Sequence, residues 1–170
     1  MIIRGEKCMF QTTTEVDLPD LLALWCDGRV MKWVGFPNGL GYGPEEMTAW
    51  FARLQADPHR HHFTVRTPAI GFCGEVYYAV DPVLRRAGLD IKFAPQAQGQ
   101  GLASDALTTL IGLVFDSEPG VEAVWTEPSA ENRLARKLYA RCGLMAQPRP
   151  EDMAPGESYW ELRREAWTNR

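Results

Sequence analysis

The sequence predicts an α/β (α+β) fold: a central mixed, mostly antiparallel β-sheet flanked by about four helices, in the order βααβββαβαβ. Three observations predict it. Apolar residues recur at helical spacing in separated stretches of the chain. Three β-like segments follow one another between His61 and Phe93. A helical stretch then joins the strand at 88–93 to one at 121–126, a βαβ arrangement that sets those two strands parallel.

Taken in order, residues 2–12 read as a strand with mixed faces. "DLPDLLALWCD" places Leu18, Leu21, Leu22 and Trp25 at helical spacing, with Pro19 tolerated in a first turn. "FPNGLGYGP" is a glycine-rich, aromatic loop, after which "PEEMTAWFARLQ" opens a helix on Pro44 with acids in its first turn. "HHFTVRT", "IGFCGEVYYAV" and "AGLDIKFAP" are strands, the first two separated at Pro68 and the last stopped by Pro95. "LASDALTTLIGLVF" carries a helical stripe (Ala103, Ala106, Leu107, Leu110, Leu113, Val114) broken by Gly112. "VEAVWTE" is a strand, "NRLARKLYARCG" a helix ending at Gly143, and "SYWELRREAW" a closing strand.

The length of 170 residues suits one domain, 1–170, with a sizeable core. A net charge of −4 argues against non-specific nucleic-acid binding and fits a small-molecule or cationic partner. Cys8, Cys26, Cys73 and Cys142 are scattered without a C-x-x-C pair, which points to free thiols in a reducing compartment. The first residues lack a signal-peptide pattern, and no apolar run approaches the ~18 residues of a membrane span. The expectation is a cytoplasmic protein, monomer or homodimer, with no membrane and no nucleic-acid partner.

"APQAQGQGLASDAL" (94–107) sets Gly99 and Gly101 where a strand ends and a helix begins. Such a pair serves either a plain turn or an anion, since a helix start presents unpaired N–H groups that a Cβ would shield. A dinucleotide fingerprint would need glycine at 104, where Ser104 stands, and no Walker A lysine follows. "QAQGQG" resembles the Q/R-x-x-G-x-G/A signature of the Gcn5-related N-acetyltransferase (GNAT) superfamily. "NRLARKLYARCGL" is similar to its second motif, N-x-x-A-x-x-x-Y-x-x-x-G-F, through Asn132, Ala135, Tyr139 and Gly143, with Leu144 in place of phenylalanine. The resemblance covers at least residues 70–146. It implies a GNAT fold that binds acetyl-CoA as co-substrate, without a metal. The residues implied for the coenzyme are Ile91, Phe93, Gln96, Gln98, Gly99, Gln100, Gly101, Leu102, Ala103, Asn132 and Tyr139.

Transfer of an acetyl group to an amine needs a proton acceptor, since a primary amine titrates near ~10, and an acid for the departing thiolate. By resemblance Tyr139 is that acid; otherwise it is a core tyrosine. Asn132 looks like a pantetheine contact or a helix cap. Among bases Asp90 ranks first, sharing a strand face with Lys92, then Glu75, then Glu127 at the end of "VWTEP". Asp90 with Lys92 also reads as a plain ion pair. Trp33, Phe36 and Tyr42 form either a substrate lid or ordinary loop packing. His59, His61 and His62 read as solvated rather than metal-binding.

"GLD" and "TEPSAEN" resemble the aminoglycoside 6′-N-acetyltransferase branch. "DGRVMKWVGFPNG" followed by "PEEMTAWFARL" is similar to the ribosomal-protein and amino-acid acetylating branch. The leading expectation is direct N-acetylation of a small-molecule or peptide amine in a ternary complex. The competing readings are an aminoglycoside-modifying enzyme and, from another class, a non-catalytic acyl-CoA-binding sensor or scaffold.

Overall fold

The computed structural model describes residues 1–169. The chain opens with β1 (Ile2–Arg4) and β2 (Met9–Thr12), paired antiparallel. The single strand expected at 2–12 is therefore a hairpin. Its turn is closed by the Gly5 N–H donating to the Cys8 carbonyl at 2.9 Å, and by a carboxylate distant in sequence. Asp105 accepts from the N–H groups of Glu6, Lys7 and Cys8 at 2.8, 2.8 and 3.0 Å.

Helix α1 (Leu18–Trp25) carries Pro19 in its first turn, where no intrahelical N–H is lost. A short α2 (Gly28–Met31) follows, capped by Asp27. Helix α3 (Pro44–Ala56) begins on proline, with Glu46 accepting from the Gly43 N–H at 2.8 Å. Strands β3 (Arg60–Thr67), β4 (Gly71–Asp81) and β5 (Arg86–Phe93) run antiparallel in succession. Helix α4 (Leu102–Ser117), β6 (Ala123–Thr126) and α5 (Arg133–Arg141) come next. α5 ends on Gly143 at φ +94°, with Gly143 and Leu144 donating back to Ala140 and Tyr139, each at 3.0 Å.

Strands β7 (Met145–Ala146) and β8 (Trp160–Arg163) pair with each other, and α6 (Arg164–Thr168) closes the described chain. The closing strand expected at 158–167 thus stops at Arg163. The Arg164 side chain turns inward instead, donating to the carbonyls of Phe115, Glu118 and Val121 at 2.6, 2.6 and 2.8 Å. That contact satisfies the open end of α4, and Trp167 lies over Gly112, where an added Cβ would meet the indole at 3.5 Å, an ordinary contact.

The sheet order is β1-β2-β3-β4-β5-β6-β8-β7, antiparallel except for the β5–β6 pair. One face packs Phe63, Val65, Val76, Tyr78 and Leu89 against Leu107, Leu110, Ile111 and Val114 of α4. A second apolar cluster joins Leu21, Leu24 and Trp25 of α1 to Met31 and to Met47 of α3. A bulge at Cys73–Gly74 decides which way Glu75 faces: Val65 pairs with Gly74 but Arg66 pairs with Phe72. The extra residue shifts the alternation, so Cys73 and Val76 both serve the α4-side core while Glu75 turns away from it. Gly74 is needed here, because a Cβ would fall 2.1 Å from the Lys92 carbonyl oxygen.

Candidate active site

The parallel pairing of β5 with β6 covers only Arg86–Gly88 against Ala123–Trp125. Trp125 lies against Gly88, where an added Cβ would come within 3.3 Å of the indole. Beyond that point the ladder stops while β5 continues to Phe93, leaving its second half, with Ile91 and Phe93, unpaired on that side. Open α/β sheets bind ligands at such C-terminal strand ends.

The glycine turn stands at the end of this opening. Gly99 and Gly101 both adopt φ +75°, a left-handed conformation that strains other residues. The Gln98 amide donates to the Phe93 carbonyl and the Gln100 amide to the Gln96 carbonyl, each at 2.9 Å, bracing the turn. A Cβ on Gly99 would meet nothing within 4 Å, and one on Gly101 only the Lys7 ammonium at 2.9 Å. Leu102 and Ala103 open α4, whose first N–H groups have no intrahelical acceptor. Open space, an exposed helix start and a lysine suit a phosphate group.

Lys7 was not legible as a site residue. It reaches the turn because Asp105, in the first turn of α4, holds the β1–β2 hairpin. Burial would raise the Asp105 carboxyl, but the N–H groups of Lys7 and Glu6, with help from Cys8, hold it below the usual carboxylate range.

On the sheet face beneath α1 and α3, Glu75 of β4 stands opposite Lys92 of β5, and Tyr77 opposite Asp90. Glu75 is 1% exposed. Its Oε2 accepts from Trp25 Nε1 at 2.9 Å and faces His62 Nε2 at 3.1 Å, while Oε1 lies 3.1 Å from Lys92 Nζ. Lys92 also contacts Asp90 closely. Burial alone would push the Glu75 carboxyl up, but the Lys92 charge, His62 and the Trp25 indole more than offset it, leaving it at about 2. Lys92 is raised, because Glu75 and Asp90 outweigh its own burial. Glu75, His62 and Lys92 line a cavity of about 200 Å³ together with Trp25, Met31, Leu40, Tyr42, Trp50, Arg60 and Tyr77.

Asn132 caps α5, its side chain accepting from the Ala135 N–H at 3.1 Å. Tyr139 is buried, and its phenol is pushed up to about 12 by burial and by the Asp90 charge, with Thr126 and Lys92 opposing. The phenol is therefore within electrostatic reach of Asp90 and Lys92 on β5 and of Thr126 on β6.

The remaining expected site residues lie elsewhere or differ in setting. Tyr42 lines the cavity edge-on to Trp25, whereas Trp33 and Phe36 are exposed on the preceding loop. Glu127 pairs with Arg149 at 2.5 Å and accepts from the Glu157 N–H at 2.6 Å. The expectation that all three histidines are solvated needs correction at His62. It is 4% exposed, with Nδ1 2.8 Å from Thr13 Oγ1, because strand alternation turns it under Trp50. Among the described residues no group of three or more His, Cys, Asp or Glu gathers to hold a metal, and no helix is long and apolar enough to cross a membrane. A larger depression of about 460 Å³, lined by Asp20, Arg66, Phe72, Pro95 and Gln96 among others, adjoins the approach to the glycine turn.

Residues 8–145 match the acetyltransferase (GNAT) domain, and the chain belongs to that family. Solved structures share the fold. A spermidine N-acetyltransferase from Vibrio cholerae, in complex with CoA and spermine, superposes with a TM-score of 0.82 at 17% identity, covering 97% of this chain and 100% of the other. The aminoglycoside acetyltransferase AAC(6′)-Ib with coenzyme A gives 0.79 at 18% identity, covering 95% and 98%. RimL, a ribosomal L7/L12 alpha-N-protein acetyltransferase in complex with coenzyme A, gives 0.80 at 13% identity, covering 98% and 99%. No curated protein matches the chain by sequence.

Proposed function

We propose that the chain, acting as one domain, is an acetyl-CoA-dependent N-acetyltransferase that acetylates a primary amine by direct transfer. The parting of β5 from β6 beside a glycine-lined helix start carries this reading. The residues that would hold the coenzyme are the β5 edge (Ile91, Phe93), the turn 98–103, Lys7 and Asn132. When bound, acetyl-CoA supplies the acetyl group as a thioester: the amine nitrogen bonds to the carbonyl carbon and the carbon–sulfur bond breaks. Asp90 takes the proton that the amine loses. Its side chain is 27% exposed, more open than Glu75, and solvent can carry that proton away. Glu75, at about 2, is too weak a base for this and instead positions Lys92, His62 and Trp25. The Tyr139 phenol donates the proton that the sulfur gains. Thiol release across an amine panel tests the reading.

Two results are expected from variants. Lys7→Ala weakens acetyl-CoA binding about tenfold in calorimetry, the scale of one lost charge-assisted contact, while kcat at saturation stays near wild type. An unchanged affinity would remove Lys7 from the site. Asp90→Asn lowers the rate roughly 10²-fold at neutral pH and recovers part of it at higher pH, where more of the amine is already neutral. A parallel pH–rate profile at wild-type level would return Asp90 to plain ion pairing with Lys92.

A further inference from the structure

We infer that the acceptor is a small primary amine that also carries a carboxylate on an apolar or aromatic body, bound in the cavity under α1 and α3 with its carboxylate at Arg60. This deepens the transferase reading above and rests on it. The cavity has two chemically distinct ends. At its floor lie Glu75 and Lys92, with Asp90 beside Lys92. Glu75 Oε1 is sealed against Lys92 Nζ at 3.1 Å, so the oxygen open to an N–H of the acceptor is that of the partly exposed Asp90.

At the mouth is Arg60. Its guanidinium lies 5.2 Å from the centre of the Tyr77 ring, and Lys92 Nζ lies 5.7 Å from the same ring. Lys92 is neutralised by two carboxylates, whereas Arg60 pairs with no carboxylate among the described residues. The charges of the four groups balance, but Arg60 is left without a carboxylate of its own, set a tyrosine ring away from the floor. Guanidinium groups favour carboxylates through paired donors.

Between the ends, Trp25, Tyr42, Trp50 and Tyr77 with Met31 and Leu40 offer aromatic and apolar walls. The volume of about 200 Å³ is below the ~300–1,000 Å³ of typical ligand pockets, which suits one small molecule. A polycation would meet Arg60 at the entrance, and its further amines would find no lining carboxylate beyond those that Lys92 contacts. Charge and size thus separate this cavity from one made for polyamines or aminoglycosides.

The experiment compares acceptors that differ only in the carboxylate. Phenylalanine should be acetylated with a KM at least about tenfold below those of phenylalaninamide and phenethylamine, with spermidine and kanamycin poorer still. Arg60→Gln, at an exposed position, should erase that preference. Independently of turnover, 3-phenylpropanoate should quench the tryptophan fluorescence of the wild-type protein and bind about tenfold more weakly to Arg60→Gln. Tighter binding or faster acetylation of phenethylamine, spermidine or kanamycin than of phenylalanine overturns the inference, as does unchanged 3-phenylpropanoate affinity in Arg60→Gln. Thermal-shift titration with acetyl-CoA on the same samples judges the transferase reading separately. Loss of that response would sink the transferase reading while the fluorescence titration still decides the carboxylate site.

Discussion

Tyr139→Phe is expected to lower turnover by roughly 10²–10⁴-fold, the range for a lost general acid, with acetyl-CoA affinity nearly unchanged. The phenol is the one part of this side chain that chemistry would use; the ring belongs to the core beside Leu138 and Cys142. Because burial and the Asp90 charge push the phenol up to about 12, it keeps its proton throughout the neutral range and can donate it. Phenylalanine preserves the ring, so the variant should fold, losing only the hydrogen bond with Thr126, at a cost of about 1 kcal/mol. The measurement is single-turnover acetylation with an acceptor verified on the wild type. Wild-type rates in the variant would make Tyr139 a packing residue, and the acid would then have to be solvent.

Lys92→Met should bring the largest change in stability, a loss of about 3–5 kcal/mol, because it leaves the Glu75 carboxylate buried without its cation. In the wild type, Glu75 sits at about 2 against an ordinary 4.5, a depressed value. Its contribution is therefore complete above about pH 4.5 and is lost as pH falls towards 2. That contribution is on the order of 3 kcal/mol. In Lys92→Met burial acts unopposed by the lysine, so the carboxyl rises and the variant should gain stability on mild acidification, opposite to the wild type. Glu75→Gln combined with Lys92→Met should recover most of the loss, since neither charge is then stranded. Thermal melts at several pH values read all three proteins. A Lys92→Met melt close to wild type, with the same acid limb, would mean that the pair contributes nothing to the fold.

The sequence by itself determined the features whose causes are local. Helical spacing placed α1, α3, α4 and α5; Pro44 and Gly143 marked a start and a stop; the βαβ spacing made β5 and β6 parallel. Gly99 and Gly101 announced a turn open to an anion, because only glycine holds that backbone without blocking it. The cap at Asn132 and the buried setting of Tyr139 are among the alternatives the residues themselves offered beside their motif roles.

Only the tertiary structure decided what depends on partners far along the chain. Residues 2–12 fold back on themselves because Asp105 gathers three N–H groups of the turn, and the same contact carries Lys7 to the glycine turn. The final strand stops where Arg164 finds the end of α4. Glu75 ranks in the sequence as a candidate base, yet one bulge turns it beneath Trp25, His62 and Lys92. A carboxylate's chemistry follows from the charges and donors around it, and those arrive from three different elements, α1, β3 and β5. Pattern along the chain can therefore show that a carboxylate is present, while its protonation and its role are set by three-dimensional neighbours.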